Sequence, residues 1–253
     1  MGLGSAARAK TFAACMSLAD LVTTSSTILA AQLESNRRRA IMIPDAWNRG
    51  NTLWEKPSPT RQTVNIGWIG TPGHLEDTAS VRRSVVRILR EFPQTQLVIS
   101  GDPKVYQLFD SIPEYRRIFL PEVSKDDYPS LLSQLDVRLV PLLNTAYNRS
   151  ASDLPLMEAG VRGIPWVASP VPSHEEWKAG GRIAKDREDW YLILKEYIEN
   201  PELIVKLGQE GQRAAASREI RHAGTLWISL LKKLATDPSG TKNQQSPVSE
   251  TPE

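Results

Sequence analysis

The stretch NRSASDLPLMEAGVRGIPWVASP, residues 148–170, decides the fold of this chain. It begins as a polar loop, continues as an amphipathic helix over residues 154–161 and ends as an apolar strand over residues 166–168. Ser152 or Asp153 is the expected N-cap, because short polar side chains accept hydrogen bonds from the first free N–H groups of a helix. A loop, a helix and a strand in this order predict one αβ unit of a parallel sheet.

The start of this helix is a candidate site for an anion. The first N–H groups of a helix have no partner within the helix, and the helix dipole adds about half a positive charge there. Phosphate is a common anion at such a position. Glu158 lies roughly one and a half turns into the helix, where its carboxylate can reach hydroxyl groups beside the anion. A diphosphate followed by a pair of hydroxyl groups is what a nucleotide sugar offers.

Around this stretch the sequence alternates between strands and helices. Strands are predicted at residues 64–69, 96–100, 117–120, 136–140, 166–168 and 182–184, with helices between them at residues 77–92, 105–109, 126–135, 154–161 and 173–178. Such alternation predicts an α/β fold with a doubly wound, Rossmann-like parallel sheet, in which ligands bind beyond the carboxyl ends of the strands. Further helices are predicted at residues 187–199, 201–217 and 220–235.

The first part of the chain is a partial β-α-β piece. Its strands are predicted at residues 20–24 and 40–44, with Ser26 or its neighbour as the cap of the helix between them. Two parallel strands cannot bury both faces alone, so another part of the protein or an upstream region is expected to cover them. Trp47 and Trp54 are expected to pack the following linker onto a neighbouring surface.

The expected organisation therefore has four regions. They are the partial β-α-β piece (1–47), the linker (48–62), the Rossmann-like domain that contains the candidate nucleotide-sugar site (63–235) and a tail expected to be disordered because it is almost free of apolar residues (236–253).

Composition excludes several classes of function. The net charge of +2 gives no field that would favour nucleic acid as the main partner. Three scattered histidines and one cysteine make a protein-built metal site unexpected, and a single cysteine cannot form an internal disulfide. Cys15 is expected to lie on a helix and to pack in apolar surroundings, because its neighbours include Phe12, Met16 and Leu18. The run Arg37-Arg38-Arg39 is expected to be a solvated face, with contact to an anionic membrane surface as the minor alternative. A cytoplasmic location is expected.

A glycine-containing loop follows the first strand of the larger region. Gly70-Thr71-Pro72-Gly73 allows the backbone to approach a ligand closely. The loop is not a GxGxxG fingerprint, and no acidic residue is placed for the ribose of NAD, so hydride transfer is not supported.

At this point the chain resembles a known family, the GT-B glycosyltransferases of the retaining kind often called glycosyltransferase group 1. GWIGTP at residues 67–72 is similar to the G-W-x-G-[S/T]-P loop of one branch, and DVRLVPL at 136–142 resembles a characteristic strand. Residues 152–170 resemble the family's S-x-x-K-x-x-E-x-x-x-x-G-x-P-v-v-A-S block. The similarity covers residues 10–230 and implies the C-terminal, donor-binding half of such an enzyme, preceded by a truncated N-terminal domain.

The resemblance implies roles for individual residues. Ser152, Asp153 and Leu154 would present backbone N–H groups to the donor diphosphate, and Glu158, the one residue implied in catalysis, would hold the ribose hydroxyls. The donor-binding residues implied are Gly70, Thr71, Pro72, Gly73, Arg149, Ser152, Asp153, Leu154, Glu158 and Ser169. No metal and no other cofactor is implied.

The chain also departs from the resembled pattern. The first of two carboxylates spaced eight residues apart is replaced by Ser150, and the usual lysine positions hold Ala151 and Pro155. Arg149 is a possible substitute for the lost cations. Most of the acceptor-binding domain is missing from the resemblance, so a separate acceptor-binding domain is a possible partner.

The function expected is transfer of a sugar from a nucleotide-diphosphate sugar to an unidentified acceptor, with retention of configuration. The alternative is a non-catalytic remnant or nucleotide-binding module that keeps the fold. A doubly wound domain of unrelated function is a third reading.

Overall fold

The computed structural model describes residues 3–236. Its strands are β1 (Val22–Thr24), β2 (Ala40–Met42), β3 (Val64–Ile69), β4 (Thr95–Ser100), β5 (Arg117–Leu120), β6 (Val137–Val140), β7 (Trp166–Ala168) and β8 (Gly181–Ile183). Its helices are α1 (Leu3–Leu18), α2 (Thr27–Ser35), α3 (Leu75–Glu91), α4 (Pro103–Gln107), α5 (Tyr128–Leu132), α6 (Ala146–Arg149), α7 (Leu154–Val161), α8 (Pro172–Trp177), α9 (Arg187–Glu199), α10 (Pro201–Ala216) and α11 (Ile220–Thr236). The predicted disordered tail lies outside the described residues from position 237 onward.

Six of these strands form one parallel sheet in the order β5-β4-β3-β6-β7-β8. The chain leaves β3 toward β4 and β5, then returns to place β6 on the other side of β3. This reversal creates a crevice at the carboxyl ends of β3 and β6, the usual ligand position in a doubly wound sheet. The predicted fold class is confirmed.

Both faces of the large sheet are buried, which explains why its strands read as continuous apolar runs. In β4, Leu97 and Ile99 face the apolar cluster that includes residues of α3 and α9, whereas Val98 faces the cluster built with α5 and α7. The helices α7 and α10 approach so closely that a Cβ on Gly160 would lie 2.9 Å from the carbonyl oxygen of Gly211. This packing fixes the position of α7 against the sheet.

The partial β-α-β piece forms a separate two-stranded parallel sheet, with Val22 opposite Ala40. Ser26 caps α2 as predicted, because its hydroxyl accepts from the N–H of Leu29 at 3.2 Å. Cys15 lies on helix α1 as predicted, but the prediction that it packs in apolar surroundings was wrong, because the residue is exposed.

Trp47 joins this piece to the segment where α10 ends and α11 begins. Its indole Nε1 donates to the carbonyl of Ala215 at 2.8 Å, and its backbone pairs with Arg218 and Ile220. The ring of Trp54 lies edge-on to Trp47, 6.5 Å between centroids. The prediction that both tryptophans pack the linker onto a neighbouring surface is confirmed.

The sequence missed one helix near the crevice. Residues 146–149 form α6, where the pattern predicts a loop. Thr145 makes this turn possible, because its hydroxyl accepts from the N–H of Asn148 at 3.1 Å. Within residues 3–236, no helix combines the length and the apolar character that crossing a bilayer requires.

The close contact between the loops after β3 and β4 yields a test of the fold. Gly101 has a φ of +107°, and a Cβ there would lie 1.8 Å from the backbone oxygen of Gly70. We expect Gly101→Ala to lower the free energy of unfolding by at least about 2 kcal/mol in urea titration. The control is Gly224→Ala on α11, where no other atom of the described residues lies within 4 Å of the added Cβ and a gain of up to about 1 kcal/mol is expected. Equal stability of the two variants would contradict this packing.

Candidate functional site

A cavity of about 320 Å³ opens at the crevice between β3 and β6. Its walls include Thr71, Pro72, Gly73, His74, Asp77, Leu143, Tyr147 and Asn148. The loop after β3 can turn here because Gly73 adopts a φ of +115°, which side-chain-bearing residues rarely do. The cavity therefore lies between a glycine-containing loop and the segment that leads from β6 to α7.

The four loop residues predicted to bind the donor, residues 70–73, differ in how deeply they lie in the crevice. Thr71, Pro72 and Gly73 are exposed on the cavity wall. Gly70 lies beneath them, and its N–H donates to the carbonyl of Ser100 at 3.2 Å. Gly70 thus ties the loop to β4, while the next three residues face the open space.

Asp77 joins the two sides of the crevice. Its Oδ1 accepts from the N–H of Leu143 and from Nδ2 of Asn148, both at 2.8 Å, and its Oδ2 lies 2.8 Å from Nδ1 of His74. Asp77 is 5% exposed, so these bonds replace its contact with water. The residue pattern did not predict this network. Its one sequence feature was an acidic residue, Asp77, in the first turn of a predicted helix.

The start of α7 keeps two free backbone donors. The hydroxyl of Ser152 accepts a hydrogen bond from the N–H of Leu154 at 3.3 Å. Of the three backbone amides predicted to bind the diphosphate, the amide of Leu154 is therefore already engaged. Among residues 3–236, no group accepts from the N–H of Ser152 or Asp153. These two amides are the donors that this helix start can offer to an anion.

The carboxylate of Asp153 is held away from these amides. Asp153 stands at the N-cap position, but its side chain makes no capping hydrogen bond and instead pairs with Arg218. The Arg218 guanidinium also lies 5.5 Å from the ring centroid of Trp177. This pairing offsets a negative charge that would otherwise repel an anion at the helix start.

Glu158 is anchored by one of its two carboxylate oxygens. Oε2 accepts from the hydroxyl of Tyr128 at 3.0 Å and from Nη1 of Arg138 at 3.1 Å. Arg138 also donates to the Tyr128 hydroxyl at 2.7 Å and to the carbonyl of Pro155 at 2.6 Å. No hydrogen bond from the described part of the chain reaches Oε1, and the side chain is 15% exposed. One oxygen of Glu158 thus remains available.

The electrostatics of this group follow from its burial. Burial raises the pKa of Glu158 above its ordinary value, and the charge of Arg138 opposes that rise. Asp45, which follows β2, adds a smaller rise to the pKa of Glu158, and its buried Oδ2 has no hydrogen-bond partner among residues 3–236. The partial β-α-β piece therefore places a carboxylate, that of Asp45, close enough to influence Glu158. The residue pattern did not predict this.

Two further predicted residues have different positions. Ser169 is buried, where its hydroxyl accepts from the N–H of Leu142 at 2.9 Å and its carbonyl accepts from Nδ1 of His174 at 3.0 Å. Burial lowers the pKa of His174 to about 4, so this ring is neutral at pH 7. Arg149 is exposed at the end of α6. Ser169 thus links the loops after β6 and β7, while Arg149 reaches into solvent.

The structure brings some predicted residues together and leaves others apart. Residues 71–73 share one cavity with the segment after β6. The described walls of that cavity do not include Gly70, Arg149, Ser152, Asp153, Leu154, Glu158 or Ser169. Of these residues, 149–158 lie between β6 and β7, Gly70 follows β3 and Ser169 follows β7. The role of this group in binding stays a prediction.

The contribution of the buried ion pair between Arg138 and Glu158 to stability can be measured. Removing one partner of a buried pair leaves the other charge uncompensated, so we expect Arg138→Met to lower the free energy of unfolding by about 3–5 kcal/mol. Arg49→Met is the control, since Arg49 and Glu55 form a pair in which both side chains are more than half exposed. We expect less than about 1 kcal/mol there. Urea titration measures both, and similar losses would show that the Arg138 pair is not desolvated.

Comparison with known proteins assigns this chain to a family. A family model described as glycosyl transferase-like matches residues 82–224, more than half of the chain. A search of curated proteins gave no match.

Solved structures are similar over most of the chain. Anabaena HepE, solved in complex with UDP and glucose, aligns with a TM-score of 0.68 and 17% identity over 86% of this chain and 63% of HepE. Sucrose-phosphate synthase from Thermosynechococcus elongatus aligns with a TM-score of 0.64 and 18% identity, over 88% of this chain and 60% of the synthase. A glycosyltransferase from Rickettsia africae aligns with a TM-score of 0.66 and 10% identity, over 87% and 65% of the two chains.

At these identities the likeness establishes the fold, and the chain spans less than two thirds of the length of each of these proteins. The large sheet is a Rossmann-like domain of the GT-B type. The family match and the sheet order together show that the chain belongs to the glycosyl transferase-like family of group 1.

Proposed function

We propose that this protein transfers a sugar, of the hexose type, from a nucleotide-diphosphate sugar to an acceptor. The observation that carries the proposal is a single sheet edge that presents the glycine-containing loop after β3, the free amides before α7 and the unengaged oxygen of Glu158. HepE, with which this chain shares its fold, was solved with UDP and glucose, which supports a nucleotide sugar as the ligand.

In this proposal the donor lies along the β3-β6 crevice. The amides of Ser152 and Asp153 donate to the diphosphate, and Oε1 of Glu158 accepts from the ribose hydroxyls. The loop of residues 70–73 lines the opposite side. Arg149, exposed one short turn before α7, can bring a cation to the phosphates, and Ser169 keeps the two loops at the cleft floor in place.

The chemistry required is the exchange of one bond at the sugar. The bond between the anomeric carbon and the diphosphate oxygen breaks, and its electron pair leaves with the diphosphate. The acceptor oxygen forms the new bond to that carbon, and its proton passes to an oxygen of the departing diphosphate. Amides fixed around the leaving diphosphate stabilise the charge that develops there. We propose that the anomeric configuration is retained, that a separate domain binds the acceptor, and that the reaction takes place in the cytoplasm.

One observation favours a second candidate, a nucleotide-binding module without catalysis. Ala151 and Pro155 stand where the resembled enzymes carry lysine, and residues 70–73 include no basic side chain. Each lost charged hydrogen bond to phosphate weakens binding by about 1.5–3 kcal/mol. Such a module would bind nucleotide without splitting the donor.

Binding of UDP and GDP by titration calorimetry tests the proposed site. We expect Glu158→Gln to raise the Kd of the tighter nucleotide about 10- to 100-fold, because a charged acceptor for the ribose hydroxyls is lost. Isothermal measurement is preferable to melting, since Glu158 also pairs with Arg138. Glu175→Gln, which removes an exposed carboxylate on α8, is the matched control and should bind as the wild type does. Absence of binding at millimolar nucleotide would reject the proposed donor site.

Hydrolysis of a panel of nucleotide sugars separates the two candidates. We expect the wild type to release nucleoside diphosphate from one donor, and Glu158→Gln to release it more slowly. Binding of nucleotide without release from any donor would favour the non-catalytic module.

A further inference from the structure

We propose that His74 is a donor-binding residue: its imidazole contacts the diphosphate, in the orientation that Asp77 imposes. The inference rests on the function proposed above and adds a residue outside the predicted donor-binding set. It starts from the pair formed by His74 and Asp77 on the wall of the crevice cavity.

The hydrogen bonds of Asp77 define which ring nitrogen faces the cavity. Oδ1 of Asp77 accepts from the N–H of Leu143 and from the amide of Asn148, so the carboxylate acts as an acceptor. Nδ1 of His74 lies 2.8 Å from the other oxygen and is therefore the donor in that contact. Nε2 is left as the polar atom that the ring can present to a ligand.

Nε2 has no competing partner. No hydrogen bond from residues 3–236 reaches it, and the His74 side chain is 29% exposed. A ring protonated on both nitrogens donates from Nε2, and a phosphate oxygen accepts such a bond at about 2.7–2.9 Å. The ring is thus held at one nitrogen and open to solvent at the other.

The backbone around His74 favours an anion as well. The N–H groups of residues 73–77 make no hydrogen bond within the described chain, and they stand at the start of the 17-residue α3. Glu76 also borders the cavity, but its side chain is exposed on the first turn and can point into water. These amides and the His74 ring form one surface toward the cavity.

The segments on both sides of the proposed diphosphate site are poor in basic side chains. The loop of residues 70–73 has no basic side chain, and Ala151 and Pro155 add none across the crevice. The His74 ring gives the β3 side a nitrogen that faces the cavity, which these segments lack. Because Asp77 also binds the segment after β6, the ring is fixed relative to both loops before a ligand arrives.

The test compares a nucleoside diphosphate with its monophosphate. Titration calorimetry gives Kd for UDP and UMP, or for GDP and GMP if those bind more tightly, with the wild type, His74→Ala and the control His222→Ala. His222 is exposed on α11. We expect His74→Ala to weaken diphosphate binding about 10- to 100-fold and monophosphate binding less than 3-fold, whereas His222→Ala changes neither.

The outcomes separate this inference from the proposed function. If His74→Ala binds the diphosphate as tightly as the wild type does, the His74 inference is wrong and the proposed function stands. If the wild type binds no nucleotide, both are rejected. Should His74→Ala fail to fold, ring ¹⁵N spectra of the wild type decide: the His74 Nε2 signal should shift with the diphosphate and not with the nucleoside, and an unchanged signal would overturn the inference.

Discussion

The buried contact between Arg138 and Glu158 is the interaction on which the site depends. A guanidinium inside a parallel sheet loses its hydration, and only close hydrogen bonds can offset that cost. Arg138 finds them in Glu158, in the hydroxyl of Tyr128 and in the carbonyl of Pro155. The same bonds connect β6 to α5 and to α7. They therefore fix the start of α7, with its two free amides, and leave Oε1 of Glu158 in a defined place.

A second set of contacts fixes the opposite side. Asp77 connects α3 to the segment after β6, and the contact of Gly70 with Gly101 seats the loop after β3 against β4. Because these contacts are made within the protein, the crevice is arranged before a ligand enters. Its hydrogen-bond donors for an anion are mainly backbone amides, since Asp153 is paired with Arg218 and the two loops have few basic side chains. A site of this kind suits a diphosphate, whose many oxygens can accept several N–H bonds.

The sequence predicted the sheet well because apolar runs and glycine turns are local signals. The order of strands and helices, the cap of α2 and the packing of Trp47 and Trp54 followed from residue patterns alone. Side-chain pairs between distant elements could not be predicted in this way. Arg138 stood inside a run that read as an ordinary strand, Asp77 looked like a helix-start residue, and Asn148 belonged to a predicted loop. Asp77 and Asn148 meet only when the sheet order places β3 beside β6, and Arg138 acquires its partners when α5 and α7 pack against β6.

A crystal structure of the protein with UDP or GDP, whichever binds more tightly, would locate the donor site. We expect the diphosphate between the loop of residues 70–73 and the amides of Ser152 and Asp153, with a ribose hydroxyl about 3 Å from Oε1 of Glu158. A nucleotide bound elsewhere on the chain, or a ribose that makes no contact with Glu158, would contradict it.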